Sequence, residues 1–449
     1  MRIRLSLLTA ALAAALVAFP GIAAVPQAEA DKLGNELTPL GAEKAGNGGA
    51  IPAWDGGISG SAAPAHQRGQ VYADPFADDA IEFTITSANV NDYAANLTDG
   101  QKAILARYDT FKMNVYPTRR SAAFSQRQYD MARSNATTAE LTADGDGVIN
   151  AAESVPFPIP KSGAEVIWNH KLKFKGVSAA RDNNQAPVTA GGSYNLAKLS
   201  EEFYVPYSME GRSIDDINNI LLYFFQSVDA PPRLAGQLLL VHETLNQRTT
   251  PRQAWVYNPG QRRVRRAPNV AYDNPGTASD NLRTNDMTDM FNGALDRFDW
   301  ELTGKREIYV PYNSYKAHGS TAKALIQPGH LNPDLLRYEL HRVWVVDAKL
   351  KAGARHINSR RTFYVDEDSW QILLTDHYDG EGNLWRYSEA PSIQYYDQPL
   401  FWTTMENHHD LKNGRYLVQC VENARSMDFS RQFTLDQFSP QSLRTRGVR

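Results

Sequence analysis

The spacing of apolar positions changes character along the chain. Residues 31–80 show no period: "LTPLGAEKAGNGGAIPAWDGG" and "SAAPAHQRGQ" are rich in Gly, Pro and Ala. Beyond a short helix expected near 28–33, they read as an extended segment wrapping the surface, with Leu37, Leu40, Ile51 and Trp54 as anchor points. From about 89 the pattern is helical. In "LTDGQKAILARYDTFKM", Ile104, Leu105, Tyr108 and Phe111 share a stripe behind a Thr98 or Asp99 cap, and Pro117 ends the element. "SQRQYDMARSNA" predicts a second helix and "GAEVIWNHKLK" at 164–173 a third.

After about 190 the period becomes two. Strands are predicted at 203–207, 220–228, 235–245, 253–258, 262–266, 306–311, 338–349, 360–366, 370–378, 384–389, 399–406 and 415–422. "NPG", "DEDS", "DGEGN" and "KNG" mark turns between several of them. With no βαβ alternation, this is an antiparallel meander. In "WQILLTDHY", Trp370, Ile372 and Leu374 share an apolar face while Gln371, Leu373 and Thr375 share a mixed one, as in a sheet covered on one side. "LLYFF" (221–225) and "LLLV" (238–241) are apolar on both faces and predict more central strands. "YDNPGTASDNLRTNDM" at 272–287 reads as a long loop, and 286–299 is a candidate helix.

The N-terminus sets the compartment. Arg2 and Arg4 precede the apolar run "LSLLTAALAAALVAFP", which is short for a membrane span and is followed by small residues. "GIA" at 21–23 fits signal cleavage before Ala24, with "AEA" at 28–30 the rival site. The expected organisation is a signal peptide over 1–23, a wrapping segment over 24–80 and a single domain over 81–449, helical at about 89–173 and β at about 190–425. No cysteine near the cleavage region offers a lipid anchor, so the mature protein is expected to be periplasmic, with no transmembrane span. Cys420 is the only cysteine, which excludes an intramolecular disulfide; a chain of 449 residues buries enough core without one.

Charge narrows the function classes. Basic and acidic residues number 47 and 50, without the basic excess of a nucleic-acid binder. "WVYNPGQRRVRRAP" nevertheless places Arg262, Arg263, Arg265 and Arg266 close together. A hairpin turning at Asn258–Gln261 pairs Tyr257 with Arg262, Val256 with Arg263 and Trp255 with Val264 in its simplest register, though a longer loop shifts it. Either way the arginines divide between faces, as in a solvated edge strand or a rim that meets anionic lipid or a partner. "TADGDGVINAAE" at 142–153 resembles a calcium loop, but Thr142 stands where Asp belongs and the prolines of "SVPFPIP" block the exiting helix. "STAK" (320–323) and "SDN" (279–281) occur in reversed order without Lys-Thr-Gly. "HHD" at 408–410 reads as a solvated loop before a turn rather than a metal site. No nucleophile–base–acid set stands out; no catalytic residue, metal or cofactor is assigned.

"LTPLGAEKAGNGGAIPAWDGG", "FPIP" followed by "EVIWNH", "WVYNPGQRRVRRAP" and "FYVDEDSWQILLTDHYDGEGNLWR" together resemble a proteobacterial family catalogued as a domain of unknown function and labelled outer-membrane lipoprotein-sorting protein. The resemblance covers nearly the whole mature chain. It implies kinship with the LolA and LolB carriers, and hence an α+β fold with a large, unclosed, curved antiparallel sheet covered by N-terminal helices. Such carriers are shorter than this chain. The family resemblance also implies a transport role beside an RND-type exporter and an outer-membrane protein. Burying a methylene is worth ~0.8 kcal/mol, so a 16-carbon chain gains roughly 12 kcal/mol from such shelter. The expected function is therefore a periplasmic carrier of a lipid or other hydrophobic molecule. A protein–protein adaptor and an unrecognised hydrolase are the alternatives. The candidate groove residues are Trp255, Tyr257, Trp344, Trp370, Ile372, Leu374, Trp385 and Trp402, which in a plain two-layer protein would simply be core.

Overall fold

The computed structural model describes residues 24–60, 63–267, 272–421 and 426–447. The expected signal peptide, residues 1–23, lies outside the described residues. The strands are β1 (Phe83–Ile85), β2 (Met113–Val115), β3 (Glu140–Leu141), β4 (Val148–Ile149), β5 (Ser178–Val188), β6 (Ala197–Tyr204), β7 (Ile220–Ala230), β8 (Leu238–Thr244), β9 (Gln253–Asn258), β10 (Arg263–Arg266), β11 (Phe298–Pro311), β12 (Tyr338–Leu350), β13 (Arg360–Asp366), β14 (Ile372–Tyr378), β15 (Leu384–Glu389), β16 (Ser392–Tyr395), β17 (Leu400–Thr403), β18 (Glu406–Asp410) and β19 (Tyr416–Val421). The α-helices are α1 (Gln27–Ala30), α2 (Asp99–Arg107), α3 (Gln126–Thr138), α4 (Gly163–Leu172), α5 (Tyr315–His318), α6 (Ala322–Leu325) and α7 (Pro440–Gly447).

Capping residues set the helix starts. Thr98 closes a reciprocal capping box with Gln101 at the head of α2, and the hydroxyls of Ser125 and Ser162 accept from the first turns of α3 and α4. α3 and α4 fall where expected, but α2 ends at Arg107 rather than at Pro117: Tyr108 is extended, Phe111 lies beyond the helix, and β2 follows.

One unclosed sheet dominates. Its path runs β11-β12-β13-β14-β15-β18-β19-β5-β6-β7-β8-β9-β10, antiparallel at every step. The antiparallel pair β1 and β2, whose connection carries α2, adds beside the start of β12, where Val115 pairs in parallel with Tyr338. The seam between β19 and β5 joins two sequence-contiguous halves: a first half, β5–β10, and a second half built from β11 onward. Register shifts interrupt β5–β19, β6–β7, β7–β8, β11–β12, β13–β14 and β14–β15, and such bulges bend strands.

The halves are covered differently. In the second, α2 packs on β14 and β15 while α4 packs on β11 and β12. Every residue of β14, β18 and β19 is buried, so the one-sided covering read from "WQILLTDHY" is corrected: both faces are sealed. Trp370 also stands outside that alternation, at φ +61 ahead of β14. Gly100 permits the close approach of α2, because a Cβ there would lie 2.3 Å from the Tyr387 ring. In the first half, one face meets α7: Phe225, Leu238, Leu240 and Tyr257 form a small core with Phe438 and Leu443.

Further expectations are revised. The run of consecutive long strands begins at Ser178, not near 190, because "SAARDNNQAPV" of β5 has no apolar alternation, and the short strands β2, β3 and β4 interrupt the part expected to be helical. Its polar side chains are instead internally paired: Arg181 Nε and Asn183 Nδ2 both donate to Glu201 at 2.7 Å. Residues 286–299 do not form an α-helix; a short 3-10 turn at Asn285–Met287 precedes β11. His408, His409 and Asp410 lie in β18, buried rather than in a solvated loop. His408 Nδ1 lies 2.8 Å from Ser388 Oγ, while His409 Nε2 lies 2.8 Å from Asn407 Nδ2.

Candidate functional site

The free face of β5–β9 is hollow. β7 turns Leu222, Phe224 and Gln226 to this side, β8 turns Leu239, Val241 and Glu243, and β6 turns Glu201 and Phe203. The loop from Pro275 to Asn292 lies over them, and the end of α4 and β17–β18 close one end. Three adjoining hollows of about 90, 80 and 150 Å3 result, sharing walls along the face. Together they reach the lower end of the roughly 300–1,000 Å3 of ordinary ligand pockets. Leu222, Phe224 and Leu239 are only half-buried although they sit mid-sheet.

The first hollow is apolar on the sheet side and charged at the α4 end. Phe203, Leu221, Leu222, Phe224, Phe291 and Trp402 supply the apolar wall. Lys171, Lys173 and Lys175 project from the end of α4 and the residues beyond it. Asp289 gathers this end: its carboxylate lies 2.5 Å from Lys175 Nζ and 3.5 Å from Lys173 Nζ, and accepts from Trp402 Nε1 at 2.8 Å. Burial alone would raise the Asp289 carboxyl; the two lysines outweigh it and hold the group well below the usual carboxylate range. Burial pulls Lys173 well down despite Asp289, and pulls Lys171 down to about 8.

The second hollow is more polar. Arg181 and Arg252 line it, paired with Glu201 at 2.7 Å and Glu243 at 2.6 Å. Arg283 lines it too; its guanidinium donates to Thr288 Oγ1 at 2.8 Å and to Thr284 O at 3.3 Å.

The residues singled out in the sequence divide among several places. Trp402 lines the first hollow. Trp370, Ile372 and Leu374 are fully buried in the second half, where Trp370 Nε1 donates to Leu40 O at 3.0 Å. Trp344 lies parallel to Trp370 at 6.2 Å, half-buried, with Lys305 Nζ 4.6 Å from its ring. Trp385 is half-buried, its Nε1 3.2 Å from Asp410 and its ring 4.0 Å from the Arg386 guanidinium. Trp255 and Tyr257 face the α7 side, opposite the hollows.

The arginine hairpin takes the longer loop. Asn258 pairs with Arg263, Tyr257 with Val264, Val256 with Arg265 and Trp255 with Arg266, with Arg262 in the loop at φ +51. The simplest register is therefore shifted by two residues, which keeps each side chain on its expected face. Arg263 and Arg265 share the face of Val256, which lines the third hollow; Arg266 shares that of Trp255, 5.9 Å from its ring. All four arginines are exposed.

The motif at 142–153 is otherwise engaged. Asp146 accepts from Leu295 N at 2.6 Å and Glu153 pairs with Arg127 at 2.6 Å. Among the described residues, His341, Asp366 and Asp368 form the one group with metal-compatible spacing. Both Asp368 oxygens, however, accept from Arg120, at 2.7 and 2.9 Å.

Sequence reasoning missed most of the hollow's charged groups. Lys171, Lys173 and Lys175 alternate in "HKLKFK", a period-two signal overlapping the end of a predicted helix. Arg181 sits in the strand with no apolar pattern, and Arg283 in the segment read as a polar loop.

The open antiparallel sheet thus holds a covered, partly apolar groove. No helix among the described residues is long and apolar enough to cross a membrane. Residues 84–444 match the family described as "Protein of unknown function (DUF1329)", and the chain belongs to it, in line with the sequence resemblance. An uncharacterized protein of Pseudomonas aeruginosa is 50% identical over 447 residues, covering 98% of each chain. A DUF1329 family protein of Desulfovibrio piger matches in structure at 15% identity over 60% of this chain and 92% of that one, with a TM-score of 0.42. A putative outer membrane lipoprotein-sorting protein domain of Vibrio parahaemolyticus matches at 11% over 62% and 97%, TM-score 0.43. A LolA superfamily protein of Nitrosomonas europaea matches at 12% over 62% and 98%, TM-score 0.39.

Proposed function

We propose that this protein is a non-catalytic periplasmic carrier that shelters a lipid or other hydrophobic molecule in the groove over β5–β9, handing it between an RND-type exporter and an outer-membrane protein. The observation that carries the reading is the pair Leu222 and Phe224: mid-sheet apolar side chains left half-buried beneath a covering loop. In a sheet with no ligand to hold, such positions pack against the covering layer. Phe203, Phe291 and Trp402 complete the ligand's apolar contacts, and Arg263 and Arg265 stand on the groove-side face of the edge strand, where an anionic membrane or a partner meets them. Native mass spectrometry of protein purified from its own envelope tests the reading. A co-purifying apolar molecule, lost on Phe224→Asp, is expected. Protein that emerges at its bare mass, and takes up no amphiphile when offered one, contradicts it.

A further inference from the structure

We propose that the groove selects an amphiphile with an anionic headgroup, the charge seated against Arg283 in the second hollow and the hydrocarbon against Leu222, Phe224 and Trp402 in the first. This rests on the carrier reading and adds the chemistry of the ligand.

The groove's charge is unbalanced. The first two hollows are lined by six basic side chains, Lys171, Lys173, Lys175, Arg181, Arg252 and Arg283, of which burial weakens the charge on Lys171 and Lys173, against four carboxylates, Glu201, Glu243, Asp289 and Glu406. The carboxylates are committed. Glu201 and Glu243 hold Arg181 and Arg252, and Asp289 holds Lys173 and Lys175. Glu406 accepts from Asp289 N at 3.1 Å and from Gln419 Nε2 at 2.8 Å.

Lys171 and Arg283 are left over: Lys171 Nζ donates to Gly293 O at 2.8 Å, while the Glu406, Glu201 and Asp286 carboxylates act on Arg283 only from beyond contact distance. Arg283 is 7% exposed, no carboxylate among the described residues lies within 4.0 Å of its guanidinium, and its Nε has no hydrogen-bond partner. A guanidinium does not shed its proton to escape burial, so a buried one without a counter-ion in direct contact is costly. A carboxylate or phosphate entering the second hollow supplies that counter-ion in the paired geometry that arginine favours. The first hollow, sharing Leu222 and Phe224 with the second, continues as an apolar wall suited to a tail. The second hollow is also lined by Gln226 and Gln419, whose amide oxygens lack donors. A headgroup bearing hydroxyls beside its charge satisfies these as well, which separates a lysophosphatidate from a simple fatty carboxylate.

The test is isothermal titration calorimetry on delipidated mature protein with four ligands of one tail: oleate, oleoyl lysophosphatidate, oleyl alcohol and oleylamine, each below its micellar concentration. Both anions are expected to bind at least ~10-fold tighter than the alcohol, the amine most weakly, since only the anions make charge-assisted hydrogen bonds to the guanidinium. Arg283→Met is expected to remove that preference, lowering anion affinity ~10-fold without changing that of the alcohol. Arg283→Lys restores part of it. Equal affinities for oleate and oleyl alcohol in the parent protein overturn the anion assignment and leave the carrier standing. Binding of none of the four overturns both. If Arg283→Met does not fold, the charge series on the parent decides alone.

Discussion

The two halves of the sheet use similar strands for different ends. From β12 to β19 each strand is clamped between layers: β14, β18 and β19 bury every residue. In β5–β9 one face meets α7, and the other faces space beneath a loop. β7 accordingly mixes buried and half-buried residues along "ILLYFFQSVDA". Side chains of the same type therefore carry different meanings. Trp370 in the second half is structural mass; Phe224 in the first is a wall.

The largest effect that separates the halves comes from large-to-small substitution. Trp370→Ala, at a fully buried site, is expected to cost about 3–5 kcal/mol in urea unfolding, whereas Phe224→Ala, with open space beside it, costs about 1 kcal/mol or less. Equal losses in the two variants would erase the distinction.

Protonation gives the next effect. Asp376 in β14 accepts from Thr98, Asp99 and Gly100 at the head of α2 and from Tyr364. Burial, with the Asp99 carboxylate beside it, pushes its pKa up to about 7. Its unfolded value lies near ~3.9, so between roughly pH 4 and 7 the folded state holds a proton that the unfolded state has released. Stability should fall as pH rises through that window, by an amount on the order of a few kcal/mol, and level off above it. Unfolding free energies from pH 4 to 8 for the parent and Asp376→Asn check this; the parent should decline more steeply, the variant keeping only the share of other raised carboxyls such as Asp366.

Gly100→Ala sharpens the sealing itself. The added methyl meets Tyr387 at 2.3 Å and Asp376 at 2.4 Å, so α2 must shift, at a cost of about 1–3 kcal/mol in thermal or urea unfolding. The smallest effect belongs to the edge strand. Arg263→Glu with Arg265→Glu should change stability by under about 0.5 kcal/mol, since both are exposed. The same variant should lose binding to vesicles containing anionic lipid, measured by co-sedimentation at low salt.

Legibility in the sequence followed the same division. Helices α2, α3 and α4 carry N-terminal caps, and most strands of the second half alternate or run apolar between turn signals. β5 stayed hidden because its inward positions are Arg181, Asn183 and Gln185, whose burial depends on partners far along the chain: Glu201, Cys420 N and Thr277 O. No local pattern encodes such pairings. The covering of both faces of β14 was also illegible, since Thr375 and His377 look like solvent-facing residues until α4 and the loop before β11 are in place. Of the groove, Trp402 was visible from its type and strand setting. The lysines of "HKLKFK" and Arg283 acquire their meaning only when helix end, loop and sheet are brought together.

The most direct test is to locate a ligand. Crystals of the delipidated protein grown with a terminally brominated fatty acid should show a bromine anomalous peak between Phe224 and Trp402, with the carboxylate continuing toward Arg283. A peak on the α7 face beside Trp255 and Tyr257, or no ordered bromine at saturating ligand, would contradict the groove over β5–β9 as the site of carriage.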